Sequence, residues 1–178
     1  KELASGGRFV CMNFGIDEKG RYLGNTGGHS MFDKFNQHWR NHLDQGIITK
    51  EEYINTTFAQ HYRTVEEFCA PFNDKMSEVS KAGLKLLSCS TKLTKCPYRE
   101  TYEKNIRSMS KKDFADSLIP TTRSWSETVF RTALDKRDAH ESDEIINSFY
   151  ENYRAEVERD PDGHAMDYIH VIMEIEKI

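Results

Sequence analysis

The sequence has no apolar run approaching the ~18 residues that a membrane-spanning helix requires, and no signal peptide. It has no block or stripe of basic residues, which argues against a nucleic-acid partner, and no long run of one charge sign to form a tail. Its cysteines, Cys11, Cys69, Cys89 and Cys96, include no pair at the two-residue spacing of a zinc knuckle or a redox motif. Most have apolar neighbours, so they read as free thiols of a reducing, cytoplasmic protein. There is no G-x-S-x-G elbow, no phosphate-cradling glycine loop and no H-E-x-x-H. The familiar sequence marks of nucleophilic, nucleotide-dependent and zinc-dependent catalysis are thus all missing.

What is present is a chain of 178 residues, 37% hydrophobic and 30% charged, with a net charge of -4. That length sets one domain, 1–178, as the expectation, rich in surface helix. Its opening is informative. Gly6-Gly7 precedes Arg8-Phe9-Val10-Cys11-Met12-Asn13-Phe14, which has high β-propensity and is closed by Gly15. Lys1-Glu2-Leu3-Ala4 reads as the tail of a helix ended by the glycine pair. The chain therefore reads as starting inside a fold, at a helix-to-strand junction.

Residues 16–29 are polar and glycine-rich, a loop long enough to be functional. From about His29 to Gln45 the residues Met31, Phe32, Phe35, Trp39 and Leu43 recur at helical spacing, and Gly46 stops the helix. Capping boxes at Thr49-Lys50-Glu51-Glu52 and Thr64-Val65-Glu66-Glu67 start two more helices. Phe68, Cys69, Phe72, Met76 and Val79 continue the second, which Pro71 should break or kink, dividing it into two pieces. Residues 84–93 read as a strand closed by Pro97. Helix resumes near Thr101 and is expected to end at Pro120, and Ser124-Trp125-Ser126-Glu127 offers a further capping box. A helix over about 142–159 and the turn Asp160-Pro161-Asp162-Gly163 lead to a final strand, 168–176. Its first half is nearly continuously apolar, predicting burial on both faces. Helical segments at about 29–80 and 99–159 thus alternate with strands at 8–14, 84–93 and 168–176. This is one piece of an α/β sheet with a helical layer over one end.

Singly, few residues suggest chemistry. His38 and His42 are four apart on one helix, a spacing that can ligate zinc. No acidic partner sits at a matching spacing and both fall on the polar side of the stripe, so they read as structural or solvated. His170 reads as a satisfied core residue; His29 and His61 lie beside polar segments that could edge a pocket, though a plain structural role is the simpler reading of both. The sequon Asn55-Thr56-Thr57 reads as unglycosylated. Met31, Phe32, Met109 and Tyr168 are core residues by default, but as a set they suit a pocket for a flat apolar ligand.

Five segments, in order, carry a resemblance. Gly6-Gly7-Arg8-Phe9-Val10 resembles the "PGGRMV" of the SABATH family of plant-type carboxyl methyltransferases. Leu43-Asp44-Gln45-Gly46-Ile47-Ile48 resembles its "MVSEGLI", and Gln60-His61-Tyr62-Arg63-Thr64-Val65-Glu66-Glu67 its "QYTPSPTEVE". Asn105-Ile106-Arg107-Ser108-Met109 resembles "NVARCMR", and Tyr168-Ile169-His170-Val171-Ile172 resembles "FINVIV". The chain is longer than the family pattern around Pro71–Asp74.

The resemblance implies the C-terminal part of a class I methyltransferase sheet under a mostly α-helical cap. The last strand would lie antiparallel between the other two. It implies a transferase that uses S-adenosylmethionine to methylate the carboxylate of a small apolar acid. The cofactor site is expected mostly outside this segment, so the segment alone is expected to be inactive, and no catalytic, cofactor or metal residue is carried over. In the family pattern Met31 and Phe32 stand at an aliphatic residue and a Trp at the head of the cap helix. Met109 stands at a Met that sandwiches the substrate ring, and Tyr168 at a Phe on the pocket floor. These four are the expected substrate-binding residues. Where some members bind magnesium this chain reads Thr57-Phe58-Ala59, and the metal is not carried over. A carboxylate with a pKa near ~4 is already ionised at neutral pH, so methyl transfer to it needs alignment rather than a base. The expected partners are a small carboxylic acid and, through an open sheet edge, a second copy or the missing N-terminal half. Two alternatives stand beside this: a non-catalytic ligand-binding or interaction module with a similar cap, and an N-methyltransferase of the same family.

Overall fold

The structure, a computed structural model, describes residues 3–26 and 28–178. Lys1, Glu2 and Gly27, and what was expected of them, lie outside it. The elements are β1 (Arg8–Phe14), α1 (Met31–Asp44), α2 (Lys50–Asn55), α3 (Val65–Asn73), α4 (Glu78–Lys81), β2 (Leu84–Thr94), α5 (Pro97–Lys104), α6 (Lys111–Thr132), α7 (Ala139–Arg159) and β3 (Tyr168–Lys177). The fold is mixed α/β. Among the described residues no helix is long and apolar enough to cross a membrane.

The chain divides into two compact units. The first holds the residues up to Leu23, His61–Thr94 and Asp167–Ile178, and so the whole sheet with α3 and α4. Its strand order is β1-β3-β2, with β3 antiparallel to both neighbours. Register places Cys11, Met173 and Cys89 side by side across the sheet, and Phe9, Ile175 and Leu86 one pleat further on. A bulge between Leu86 and Ser88 leaves Leu87 unpaired. On the covered face Val171, Met173 and Ile175 form a small core, over which Val65, Phe68 and Phe72 of α3 pack. Gly15 is required where the chain leaves β1: a Cβ there would lie 2.4 Å from Val171 Cγ2 and 2.9 Å from the Arg63 carbonyl oxygen. The loop that follows is ordered by the buried Asp17. Its carboxylate accepts from the Lys19 and Arg21 amides and pairs with the Arg21 guanidinium at 2.7 Å.

Several expectations change here. Leu3 and Ala4 are not helical; the Gly7 amide donates to the Ala4 carbonyl and closes a turn into β1. β3 is not buried on both faces in its first half. Burial alternates along it, because helix packs on one face only, and Tyr168, His170 and Ile172 remain half-buried. His170 is satisfied, through Thr94 Oγ1 at 3.1 Å, but is not core. Pro71 stays inside α3 rather than at its end, but the segment still falls into two pieces as expected: α3 ends two residues later and α4 starts at Glu78. Met76 lies between them, 73% exposed rather than on the apolar stripe.

The second unit, Gly24–Gln60 with Lys95–Met166, is built from α1, α2, α5, α6 and α7. α5 starts at Pro97, because proline at a first helical position lacks only an N–H that would go unused there. α6 runs unbroken through Pro120. A mid-helix proline costs ~3 kcal/mol. Burial of Phe114, Ala115 and Leu118 before it, and of Thr122, Ser126 and Phe130 after it, outweighs that cost. The cap expected at Ser124 is therefore absent: the Ser124 and Ser126 hydroxyls donate to the Thr121 and Thr122 carbonyls within the helix. The helix starts instead at a capping box formed by Ser110 and Asp113.

The core of this unit is aromatic. Phe35, Phe114, Phe130 and Phe149 are essentially inaccessible. Phe149 meets Phe130 at 4.3 Å, Tyr150 at 4.8 Å and Trp39 at 5.3 Å between ring centroids.

Candidate functional site

α1 supplies one wall of an apolar cavity in the helical unit. Its apolar residues at helical spacing turn Phe32, Phe35 and Trp39 to one side, and Ser30 caps the helix by accepting from the Asp33 amide. α2 supplies the facing wall. Six residues make a marginal helix alone, so α2 depends on its anchors. Thr49 and Glu52 close the capping box at its head. Glu52 also accepts from Arg137 at 2.6 and 2.9 Å, and Arg137 reaches the Ile47 carbonyl at 3.1 Å. Hydrogen bonding from Arg137, together with the capping bonds at Thr49, pulls the Glu52 carboxyl down to about 2. The ion pair thus stays intact across the physiological range.

The cavity has a volume of about 250 Å³. Phe32, Phe35, Trp39, Phe58 and Phe130 line it, with Tyr53, Thr56 and Asn36 as its polar groups. Phe58 stacks on Phe35 at 5.6 Å, and Trp125 stands edge-on to Phe32 at 6.3 Å. The Trp39 indole donates to Thr56 Oγ1 at 2.8 Å, and the Tyr53 hydroxyl donates to Asn36 Oδ1 at 2.5 Å. The lining holds no carboxylate, histidine or lysine. Such a space suits a compact, flat, apolar molecule with one or two hydrogen-bonding groups, and it lies just below the ~300–1,000 Å³ of ordinary ligand pockets.

The four residues singled out in the sequence are distributed unevenly. Phe32 lines the cavity. Met31 is buried beside it in sequence but packs on Gly24, where a Cβ would approach the Met31 side chain to 2.9 Å. Met109 is half-buried, next to the cap of α6. Tyr168 belongs to the sheet unit, where it stacks on Phe14 at 5.5 Å and on His170 at 5.7 Å. Tyr53, Thr56 and Phe58 were not anticipated. A lone aromatic in a polar stretch, as Phe58 is in Thr56-Thr57-Phe58-Ala59-Gln60, is the one signal that could have marked them.

The histidines form a separate polar cluster. His38 and His42 are buried, not on a solvated face. His38 Nε2 lies 2.6 Å from a Glu156 carboxylate oxygen, and Lys34 Nζ lies 2.5 Å from the other. His42 Nδ1 faces the His38 carbonyl at 3.0 Å and must donate to it, so Nε2 accepts from the Ser148 hydroxyl at 2.8 Å. Burial pushes both imidazoles below their usual pKa. His164 is buried as well, 3.9 Å from Glu156, its ring tilted by 45° against that of His29 at 4.8 Å between centroids, with Nδ1 unpartnered. Burial, reinforced by His29, pushes it down to about 4. Among the described residues no three His, Cys, Asp or Glu side chains are grouped to hold a metal ion. The spacing of His38 and His42 serves two different structural bonds.

No protein-family model matches the sequence, and no curated protein matches it.

Proposed function

We propose that this chain is the acceptor-side part of an S-adenosylmethionine-dependent carboxyl O-methyltransferase of the SABATH kind, acting on a compact apolar acid. The observation that carries this reading is the strand order. Strands pairing with their nearest neighbour in sequence would form β1-β2-β3. Here the last strand lies between the other two and antiparallel to both, the order that the resemblance implies. The aromatic cavity headed by Phe32 supports the same reading, since a direct displacement on an ionised carboxylate needs a shaped wall and no base. Orientation of this kind can supply roughly 7–11 kcal/mol of a barrier.

In this reading the cofactor is held outside these residues, and the chain's contribution is to bind the acceptor and align its carboxylate. β1 is then where further sheet joins, from a longer protein or a second copy. It pairs with β3 along one edge, and Phe9, Val10, Met12 and Phe14 are 45–64% exposed.

Calorimetric titration of S-adenosylhomocysteine at micromolar concentration tests the assignment. No heat is expected from these residues alone, and stoichiometric binding from a protein extended upstream. Binding by these residues alone, or none by a folded extended protein, overturns it. In the extended protein, turnover of amines but not of acids would favour the N-methyltransferase alternative.

A further inference from the structure

The helical unit holds a second and larger cavity, between α6 and α7. The link at residues 133–138 turns α7 back along α6, so Arg131 meets Asp143 near one end and Asp116 meets Arg154 near the other. Residues three or four apart share a helix face. In this way α6 gives the cavity Ile119, Pro120 and Arg123, and α7 gives it Asn147, Tyr150 and Arg154. Its volume is about 710 Å³, within the range of ordinary ligand pockets, and it shares no lining residue with the Phe32 cavity. Ile119 and Tyr150 are buried and make an apolar wall, while Pro120 and Asn147 are exposed and mark its opening to solvent.

The two arginines in this cavity differ. Arg154 is saturated: Nε and Nη2 donate to Glu151, and Nη1 donates to Asp116 and Glu158. Arg123 is not. Its Nε donates to Glu127 at 2.5 Å, and its guanidinium carbon lies 5.2 Å from the Tyr150 ring centroid, so the group is held from two sides. Glu127 divides its carboxylate between Arg123 and Arg131. Among the described residues, neither Nη of Arg123 and no atom of the Asn147 side chain has a hydrogen-bond partner. Unused N–H donors from two helices therefore border one partly apolar space.

We propose that the α6–α7 cavity binds a small organic carboxylate, with the carboxylate on the Arg123 Nη groups and the Asn147 amide and the apolar body along Ile119, Pro120 and Tyr150. The two Nη groups of a guanidinium match the two oxygens of a carboxylate, and charge-assisted bonds of this kind are the strong ones. Because Arg123 is already held by Glu127 and Tyr150, little of its rotamer freedom is left to lose on binding. Charge sets the direction. Asp116 and Glu151 surround Arg154 and disfavour an anion there, so the carboxylate lies at the Arg123 end and the apolar body runs toward Arg154. The Phe32 cavity has no cationic side chain in its lining, so it offers an acid no comparable partner. This proposal does not rest on the methyltransferase reading.

Titration of the nitrogen-15-labelled protein with 4-phenylbutyrate, followed by NMR at neutral pH, tests it. Its neutral amide, 4-phenylbutanamide, is the control of the same shape. The acid should shift the Asn147 side-chain amide and the Arg123 Nε–H signals saturably, with a Kd on the order of 1 mM. The amide should bind there at least ~tenfold more weakly, because it leaves the guanidinium charge unmatched. Arg123→Gln should weaken binding of the acid by a similar factor. Asn147→Asp should do the same by placing a second anion at the site, and this exposed position keeps the test open if the arginine variant does not fold. Shifts confined to the Trp39 indole and its neighbours in the Phe32 cavity overturn the proposal. So do equal shifts from acid and amide, binding unchanged in a folded variant, or no shift at Asn147 and Arg123 up to about 10 mM acid.

Discussion

The two compact units solve burial in opposite ways. The helical unit closes its core on all sides with aromatic side chains, of which Phe35, Phe114, Phe130 and Phe149 are inaccessible. The sheet unit covers one face of three strands with a single helix layer and leaves β1 almost entirely exposed. A helix bundle can surround its own apolar stripes, whereas a sheet of three strands has two faces and two edges to cover. The helical unit is therefore self-sufficient in packing, and the sheet unit is the one with apolar surface to offer a partner.

The largest effect expected from this contrast is at Phe149. Phe149→Ala should lower stability by about 3–5 kcal/mol in urea unfolding, while Phe9→Ala on β1 should cost less than about 1 kcal/mol. Equal costs would break the comparison. Native-state hydrogen exchange should rank the regions likewise, with β1 amides on the unpaired edge exchanging well before those of α7.

Acid should act next, through the histidines of the helical unit. His164 is neutral when folded, its pKa lowered to about 4 from the ordinary 6.5. The unfolded chain therefore takes up a proton first as pH falls. Stability is fully present above pH 6.5 and is lost progressively between 6.5 and 4, by about 3 kcal/mol. His38 is shifted in the same direction. Urea midpoints at pH 7 and pH 4.5 should separate accordingly, and His164→Phe should narrow the gap.

A smaller effect is expected at the cavity. Phe32→Ala should weaken binding of an aromatic acid about tenfold, ~1.4 kcal/mol, as read by quenching of the Trp39 and Trp125 fluorescence. Phe9→Ala should leave that binding unchanged. The smallest concerns the open edge. Met12→Lys should change stability by no more than ~0.5 kcal/mol and reduce concentration-dependent association in light scattering. An unchanged light-scattering mass would show that β1 is not the sticky edge.

Much of the local architecture is legible in the residues. The capping boxes at Thr49 and Thr64 form as their spacing requires, and α1 and α7 follow their helical stripes to within a few residues. The three strands lie where β-propensity places them, although their order comes from the resemblance and not from periodicity. The site is less legible. Phe32 is at the cavity, but Met31 beside it is core, because one residue along a helix turns a side chain by about a quarter turn. His38 and His42 fell on the polar side of the helical wheel and read as structural or solvated; both are structural, and both are buried. Their partners are Glu156 and Ser148, 118 and 106 residues away. Pro120 and Ser124 misled for a similar reason: local rules end a helix there, and burial on both sides of the proline carries it through.

The sequence by itself determined most of the elements, since caps, stripes and turn residues act through hydrogen bonds and spacings of three or four residues, with α6 carried past Pro120 by tertiary burial. Tertiary structure alone decided which faces became interior. It buried His164 beside Glu156, opened the cavity between α1 and α2 and left β1 exposed. Burial depends on what packs opposite a residue, and in this chain that neighbour often comes from a distant part of the sequence.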